Sequence, residues 1–124
     1  MSDFRELKVW QRAHEVTLAV YQLTASFPPS EAENLVAQMR RAAVSVTANI
    51  AESRGRHGIS DQIRLLHFAL GSARELESHV LTARDVDLAK EELVEPLLDS
   101  INEVERMLSG LIRHSRGPKT SAER

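Results

Sequence analysis

The sequence predicts an all-α protein folded as an up-down-up-down antiparallel four-helix bundle. Apolar residues recur at spacings of three and four along four long segments, which is the period of helices with one buried face. The period-two alternation typical of strands is nearly absent. Short connections containing Pro, Gly or Asp separate the four segments, and such connections place sequential helices antiparallel.

Length and composition indicate one domain without thiol chemistry. The chain has 124 residues, of which 42% are hydrophobic and none is cysteine. We expect one domain over residues 1–114 and a disordered tail over residues 115–124. The absence of cysteine excludes disulfides, thiolate metal sites and Cys nucleophiles. No apolar run approaches the roughly 20 residues of a membrane span, and the N-terminus lacks a signal-peptide core, so we expect a cytoplasmic protein.

The first predicted helix begins at Phe4 or Leu7 and ends at Ser26, before two prolines that disfavour the α conformation. Its core stripe is Leu7, Trp10, Ala13, Val16, Val20, Leu23 and Phe27. Further apolar residues lie outside that stripe: Val9, Leu18, Ala19 and Tyr21. A helix that is apolar around so much of its circumference needs a second partner, which favours self-association.

The second predicted helix is the central element of the chain. It begins at Ser30, which forms a capping box with Glu33, and it ends near Gly55. One row is apolar: Met39, Ala43, Val46 and Ile50. A neighbouring row is polar: Gln38, Arg41, Ser45, Asn49 and Glu52. Since most other side chains here are small, this helix can pack against neighbours on more than one side.

The third and fourth helices carry the clearest apolar stripes. The third begins with Ser60 as cap, and its stripe is Ile63, Leu66, Leu70, Ala73, Leu76 (or Glu77), Val80 and Ala83. Asp87 is the predicted cap of the fourth helix, whose stripe is Val94, Leu97, Ile101, Val104, Leu108 and Leu111. Pro96 falls inside this helix and predicts either a kink or a later start near Leu93.

The polar row of the second helix predicts a structural network. Ser72, Glu75 and His79 share a face of the third helix and can meet that row. We predict an ion pair between Arg41 and Glu75, with Ser45 and Asn49 hydrogen-bonded nearby, within or between subunits, because unpaired burial would be costly. A ligand or catalytic site is the alternative interpretation of the same residues.

The turn after the second helix is the candidate anion site. Arg54, Arg56 and His57 stand beside two glycines whose backbone N–H groups are accessible, so the turn can hold phosphate oxygens of RNA or DNA. It lacks the Gly-Lys-Ser/Thr ending of a nucleotide-binding loop. The alternative is a solvated turn whose basic residues complement the helix dipole. The net charge of −2 does not by itself indicate a nucleic-acid binder.

The sequence predicts no catalytic residue, metal site or cofactor. The histidines form no pair four residues apart, and no Glu-x-x-His pattern of a di-iron bundle is present. The acidic residues of the fourth helix are interpreted as its solvated face. No serine stands in a recognisable nucleophile motif, so we do not expect an enzyme.

A family resemblance extends over about residues 4–112 and is most specific in the second helix. It is carried by Phe4, Leu7, Val9-Trp10-Gln11, Ala13, Phe27-Pro28, Gln38-Met39-Arg40-Arg41-Ala42, Ser45, Asn49-Ile50-Ala51-Glu52, Gly71-Ser72 and Glu75-Leu76-Glu77. This pattern resembles the four-helix bundle proteins encoded in intervening sequences of bacterial 23S ribosomal RNA. The same fold group includes the accessory variability protein of diversity-generating retroelements.

The resemblance implies a ring-shaped homopentamer. We expect the first two helices to supply much of the intersubunit surface. The retroelement relative binds nucleic acid and its reverse transcriptase through a positively charged surface. By this resemblance we expect a non-enzymatic scaffold that binds structured RNA or other nucleic acid and a protein partner such as a reverse transcriptase. The candidate contacts are Arg40, Arg54, Arg56 and His57. The alternative is a purely structural or protein-interaction module whose partner meets the acidic face of the fourth helix.

Overall fold

The structure, a computed structural model, describes residues 3–117, and its regular secondary structure is helical throughout. The four long helices are α1 (Lys8–Thr24), α2 (Ala37–Arg54), α3 (Ile59–Asp85) and α4 (Glu91–Ser115). Two 3₁₀ turns (Phe4–Glu6 and Pro29–Glu31) and a π-helical turn (Ala32–Val36) precede α1 and α2. Since residues 3–117 contain no strand, the predicted all-α class is confirmed.

The four helices pack around one shared core. Helix α1 contacts α2 and α4, and α3 contacts the same two helices. Buried apolar side chains of all four helices form a single cluster, an arrangement consistent with a four-helix bundle. The largest fully enclosed side chains are Met39, Ile50, Leu76, Ile101, Leu108, Val20, Val80 and Val94. None of the helices within residues 3–117 combines the length and apolar character needed to cross a lipid bilayer.

The predicted core row of α2 is confirmed, and that of α4 is confirmed except for its last residue. All four members of the apolar row of α2 are buried: Met39, Ala43, Val46 and Ile50. The stripe of α4 is buried as predicted through Leu108, but its last buried member is Ile112, and Leu111 is only partly buried. A final step of four residues keeps the stripe on the core side because an α-helix has 3.6 residues per turn.

The buried face of α1 includes two polar residues that the apolar pattern did not predict. Thr17 and Thr24 are buried, and each hydroxyl donates to a carbonyl one turn earlier, of Ala13 at 3.0 Å and of Val20 at 2.7 Å. These bonds satisfy the hydroxyl donors within α1. Helix α2 adds a contact to each: the hydroxyl of Thr17 lies 3.3 Å from the carbonyl oxygen of Ala43, and that of Thr24 accepts from Nε of Arg40 at 2.9 Å. Val9, predicted to lie outside the core stripe, is also buried.

The predicted start of the second helix is wrong. The chain after Pro28 forms first the 3₁₀ turn and then the π-helical turn, and α-helical hydrogen bonding begins only at Ala37. Ser30 already lies inside the 3₁₀ turn, so it cannot cap the helix, and neither turn has a side-chain cap. The two prolines favour this tight start because their rings fix φ near −65°.

The predicted helix caps on either side of α3 are also wrong. The N-cap of α3 is Gly58, one residue before its first helical residue, and the N-cap of α4 is Lys90. Asp87 instead ends α3: it has φ +63, and its N–H donates to the carbonyl of Arg84 at 3.0 Å. Together with the bond from Leu88 to Ala83 at 2.8 Å, this is a Schellman motif with Asp at the position that favours Gly.

Helix α4 continues without interruption through Pro96 and ends at the first residue of the predicted tail. It begins at Glu91 and contains Pro96, so a later start near Leu93 is wrong. Its last residue is Ser115, the first residue of the predicted tail. The rest of that tail from residue 118 onward lies outside the described residues.

The left-handed conformation of Asp87 leads to a stability prediction. Asp87→Gly should raise the free energy of unfolding by up to about 1 kcal/mol, because glycine adopts positive φ without steric cost. Asp85→Gly is the matched control: this residue is the last of α3, where glycine should lower the stability. Thermal unfolding of both variants checks the pair, and destabilisation by Asp87→Gly would contradict the assignment.

Candidate functional site

The turn between α2 and α3 opens onto a cleft of about 420 Å³. Its lining comes from the residue before α1, the C-terminal part of α2, the turn between α2 and α3, the N-terminal part of α3 and the C-terminal part of α4. We call it the basic cleft. Its lining residues are Leu7, Ile50, Ser53, Arg54, Arg56, His57, Gln62, Leu66, Leu111 and Ser115. The structure therefore brings together Arg54, Arg56 and His57, three of the four predicted nucleic-acid contacts.

Carboxylates and an amide fix the position of Arg56 at the rim of the basic cleft. Its guanidinium lies 3.3 Å from the carboxylate of Glu52 and 3.6 Å from that of Asp61. The hydrogen bond from Arg64, and then the charges of Arg64 and Arg56, hold the pKa of Asp61 below its ordinary value, so this carboxylate stays ionised. Gln62 donates from Nε2 to the carbonyl of Arg56 at 2.6 Å. The arginine is therefore oriented and still exposed.

The end of α4 carries basic residues that the sequence did not single out and that lie near the basic cleft in the chain without lining it. Arg113, His114 and Arg116 are exposed close to Ser115, which lines the basic cleft. Arg116 lies 3.2 Å from the imidazole of His67 on α3. The available signal was the charge pattern of α4, whose charged residues are acidic as far as Glu105 and basic from there to its end.

Arg40 does not belong to this group. It stands fourteen residues before Arg54 on the same helix, which at 1.5 Å per residue is about 21 Å. Its Nε donates to the hydroxyl of Thr24 at 2.9 Å, and its guanidinium lies 4.5 Å above the ring of Tyr21. These contacts hold the beginning of α2 against the end of α1, so the structure gives Arg40 a packing role.

The predicted polar network is present only in part. The hydroxyls of Ser45 and Ser72 lie 2.8 Å apart, and Asn49 donates to the carbonyl and hydroxyl oxygens of Ser45 at 2.8 and 3.1 Å. The predicted ion pair between Arg41 and Glu75 is not formed within residues 3–117. Glu75 pairs with His79, one turn further along α3, at 3.3 Å, whereas the side chain of Arg41 is exposed. An exposed guanidinium gains little from such a pair because water solvates it well.

Glu105 is the carboxyl with the most perturbed environment. Burial, and then the neighbouring Glu77 of α3, raise its pKa to about 7. Its Oε2 is buried and accepts no hydrogen bond within the described part of the chain. The prediction of a solvated acidic face on α4 therefore does not extend to Glu105. Apart from Glu77, the charged groups near it are Arg74 and Arg106. Residues 3–117 contain no group of His, Asp and Glu side chains suited to a metal ion.

The fold and the basic cleft define a small all-α protein with basic side chains gathered at one cleft. The family model described as 23S rRNA-intervening sequence protein matches residues 5–110. The chain belongs to this family, which confirms the resemblance noted in the sequence. The function of the family is unknown.

One solved structure supports the fold. It is the crystal structure of a protein of unknown function from the S23 ribosomal protein family of Bacteroides thetaiotaomicron VPI-5482. The TM-score is 0.79 and the sequence identity 23%, over 85% of this chain and 95% of the other. A comparison with curated proteins found no match.

The raised pKa of Glu105 predicts a specific pH dependence of stability. Between its ordinary value near 4.5 and about 7 the folded state holds the proton more tightly than the unfolded state, so the free energy of unfolding should fall as the pH rises. Glu105→Gln should remove this loss and therefore be more stabilising at about pH 8 than at about pH 5. Denaturant unfolding at both pH values measures the difference.

The exposed Glu95 on the same helix provides the matched control, since Glu95→Gln removes an identical charge without relieving burial. An equal pH dependence in the wild type and in Glu105→Gln would show that Glu105 titrates like a solvated carboxyl.

Proposed function

We propose that this protein is a non-enzymatic, homo-oligomeric scaffold of the cytoplasm that binds nucleic acid, either structured RNA or RNA and DNA, at the basic cleft. The observation that carries the proposal is that Arg54, Arg56 and His57 line one cleft, whose wall includes the end of α4 through Ser115. Phosphate groups bind where several cations create a positive local potential, even when the net charge is slightly negative. No cofactor is part of the proposed function.

The placement of acidic residues supports this proposal. Asp85 and Asp87 stand at the end of α3, and Glu91, Glu92 and Glu95 stand in the first turns of α4. None of these five lines the basic cleft, which α4 meets only at its other end. These five charges are therefore separated from the proposed phosphate contacts by most of the length of α4, whereas Glu52 and Asp61 pair with Arg56 at the rim of the basic cleft.

The proposed topology is the antiparallel up-down-up-down order. It is supported by the basic cleft, where Leu7 and Gln62 near the starts of α1 and α3 meet Arg54 and Ser115 at the ends of α2 and α4. The contact of Arg40 with Thr24 supports it as well, because it joins the beginning of α2 to the end of α1.

The proposed self-association uses the outer face of α1 and α2. Three large apolar side chains are exposed there: Leu18 at 53%, Tyr21 at 42% and Val44 at 43%. The two helices are in contact at this level, since Thr17 donates to the carbonyl of Ala43 at 3.3 Å. Val46 is only 3% exposed within one chain and contributes nothing to such an interface. The ring of five subunits remains an implication of the resemblance.

The alternative function is a structural or protein-interaction module without nucleic-acid binding. It is favoured by the acidic half of α4, where Glu95 and Asp99 are exposed and offer a surface to a basic protein partner. A reverse transcriptase, the partner implied by the resemblance, is the candidate for either function.

Salt-dependent gel shifts test the nucleic-acid proposal. The wild type should bind structured RNA at low salt and lose affinity steeply as salt rises, because phosphate contacts release counterions. The double variant Arg54→Gln with Arg56→Gln should reduce the slope of log affinity against log salt by about two. The control, Arg41→Gln with Lys90→Gln, removes the same charge from exposed positions away from the basic cleft and should leave binding close to wild type.

Two results would contradict this proposal. The wild type failing to bind at low salt would favour the protein-interaction alternative. Equal loss of binding in both double variants would show that only net charge matters and that the basic cleft has no special role.

Light scattering tests the proposed self-association. Val44→Glu should lower the mass of the assembly without reducing helix content, because it places a charge on the α1–α2 face. Val86→Glu is the matched control at an equally apolar, exposed position beyond α3. A wild-type monomer at micromolar concentration would contradict self-association, and equal effects of both substitutions would place the interface elsewhere.

A further inference from the structure

The basic cleft is lined by both basic and apolar side chains, and a site that holds only phosphate needs just the basic ones. Its basic side chains are Arg54, Arg56 and His57. Its apolar side chains are Leu7 and Leu111, which are partly buried and offer apolar surface to a ligand, and Ile50 and Leu66, which are buried beneath them. A surface that only holds phosphates along a duplex uses cations and backbone N–H groups, and apolar lining adds nothing to it. The apolar side chains therefore indicate that a ligand group other than phosphate enters.

The size and polar groups of the basic cleft indicate what kind of ligand group enters it. Its volume of about 420 Å³ lies in the range of pockets that enclose small organic ligands. Ser53 is buried and donates its hydroxyl to the carbonyl of Ile50 at 2.7 Å, so it offers no group to a ligand. Gln62 uses its Nε2 on the carbonyl of Arg56, and its side-chain oxygen is an acceptor for a ligand N–H group. Flat apolar faces with N–H groups at their edges are the properties of a nucleobase.

We propose that the basic cleft takes one unpaired nucleobase of a single-stranded or looped segment, while Arg54 and Arg56 hold the adjoining phosphate. This inference rests on the proposed nucleic-acid function and specifies its ligand. A base within a duplex is stacked and cannot enter without being flipped out, so the unpaired nucleotides of structured RNA are the selected feature.

The position of Arg56 agrees with this assignment. Glu52 and Asp61 hold its guanidinium at the rim, and Gln62 anchors its backbone carbonyl. A phosphate bound there lies outside the apolar lining, as the sugar-phosphate backbone must when the base points inward. The positive end of the α3 dipole begins at the same turn and adds to the attraction.

A second cleft provides the internal comparison. It lies between α1 and α4, has a volume of about 200 Å³, and includes Arg12, Glu15, Ser100 and Glu103 in its lining. Arg12 is paired with both of these carboxylates, at 3.0 and 3.3 Å. Its lining thus has one arginine and two carboxylates, whereas the lining of the basic cleft has two arginines and no carboxylate, so the second cleft should not bind a nucleotide.

The test compares a single-stranded RNA of about eight nucleotides with an abasic strand of the same length, which keeps every phosphate but carries no base. The wild type should bind the complete strand about tenfold more tightly, as expected for burying one face of a base against apolar side chains. Ser115→Trp fills the basic cleft from the last residue of α4 and should bind both strands equally. Ser100→Trp, in the second cleft on the same helix, should keep the wild-type preference, and circular dichroism checks that both variants are folded.

The outcomes separate this inference from the function on which it rests. Salt-dependent binding that is equal for the complete and abasic strands, or a base preference that persists in Ser115→Trp, would overturn the base-binding assignment and leave the nucleic-acid function standing. Failure of the wild type to bind either strand at low salt would overturn both.

Discussion

The close packing of α2 against α3 is the interaction on which the rest of the structure depends. The contact between α2 and α3 is more extensive than the contact between any other two helices of residues 3–117. Small side chains make this possible: Ala43 and Ala73 are buried, and the hydroxyls of Ser45 and Ser72 meet at 2.8 Å. Because the two helices are fixed along their length, the short turn between them is fixed as well. The basic side chains at the end of α2 therefore have a defined position without a rigid loop of their own.

The proposed function follows from where the charges lie along the helices. Helix α4 is acidic where it begins and basic where it ends, and its basic end meets the turn between α2 and α3 at one cleft. A chain with a net charge of −2 can in this way present a positive surface. The apolar lining beside the basic side chains then favours an unpaired nucleotide over a duplex, because only an unpaired base can enter the cleft. Five copies in a ring would multiply such contacts through effective concentration.

The sequence predicted the fold class and most core rows because spacings of three and four define one face of a helix. It did not predict the burial of Thr17 and Thr24. The apolar pattern treats threonine as polar, and only the structure shows that a carbonyl one turn earlier accepts each hydroxyl. The candidate site was predicted in part. Arg40 and Arg54 are the same residue type on one helix, and only the contact of Arg40 with Thr24 reveals its packing role. Arg116 was not predicted because its contact is with His67 of α3, which lies far away in the sequence and comes close only in the tertiary structure.

The most direct test of binding at the basic cleft is to follow the backbone amide resonances of the protein as single-stranded RNA is added. Perturbations should be confined to the end of α2, the turn and first residues of α3, and the last turns of α4, with Arg40 and its neighbours unaffected. Perturbations centred on the beginning of α2 or on the acidic half of α4 would contradict it. So would a titration to saturation at low salt that moves no resonance around Arg54 and Arg56.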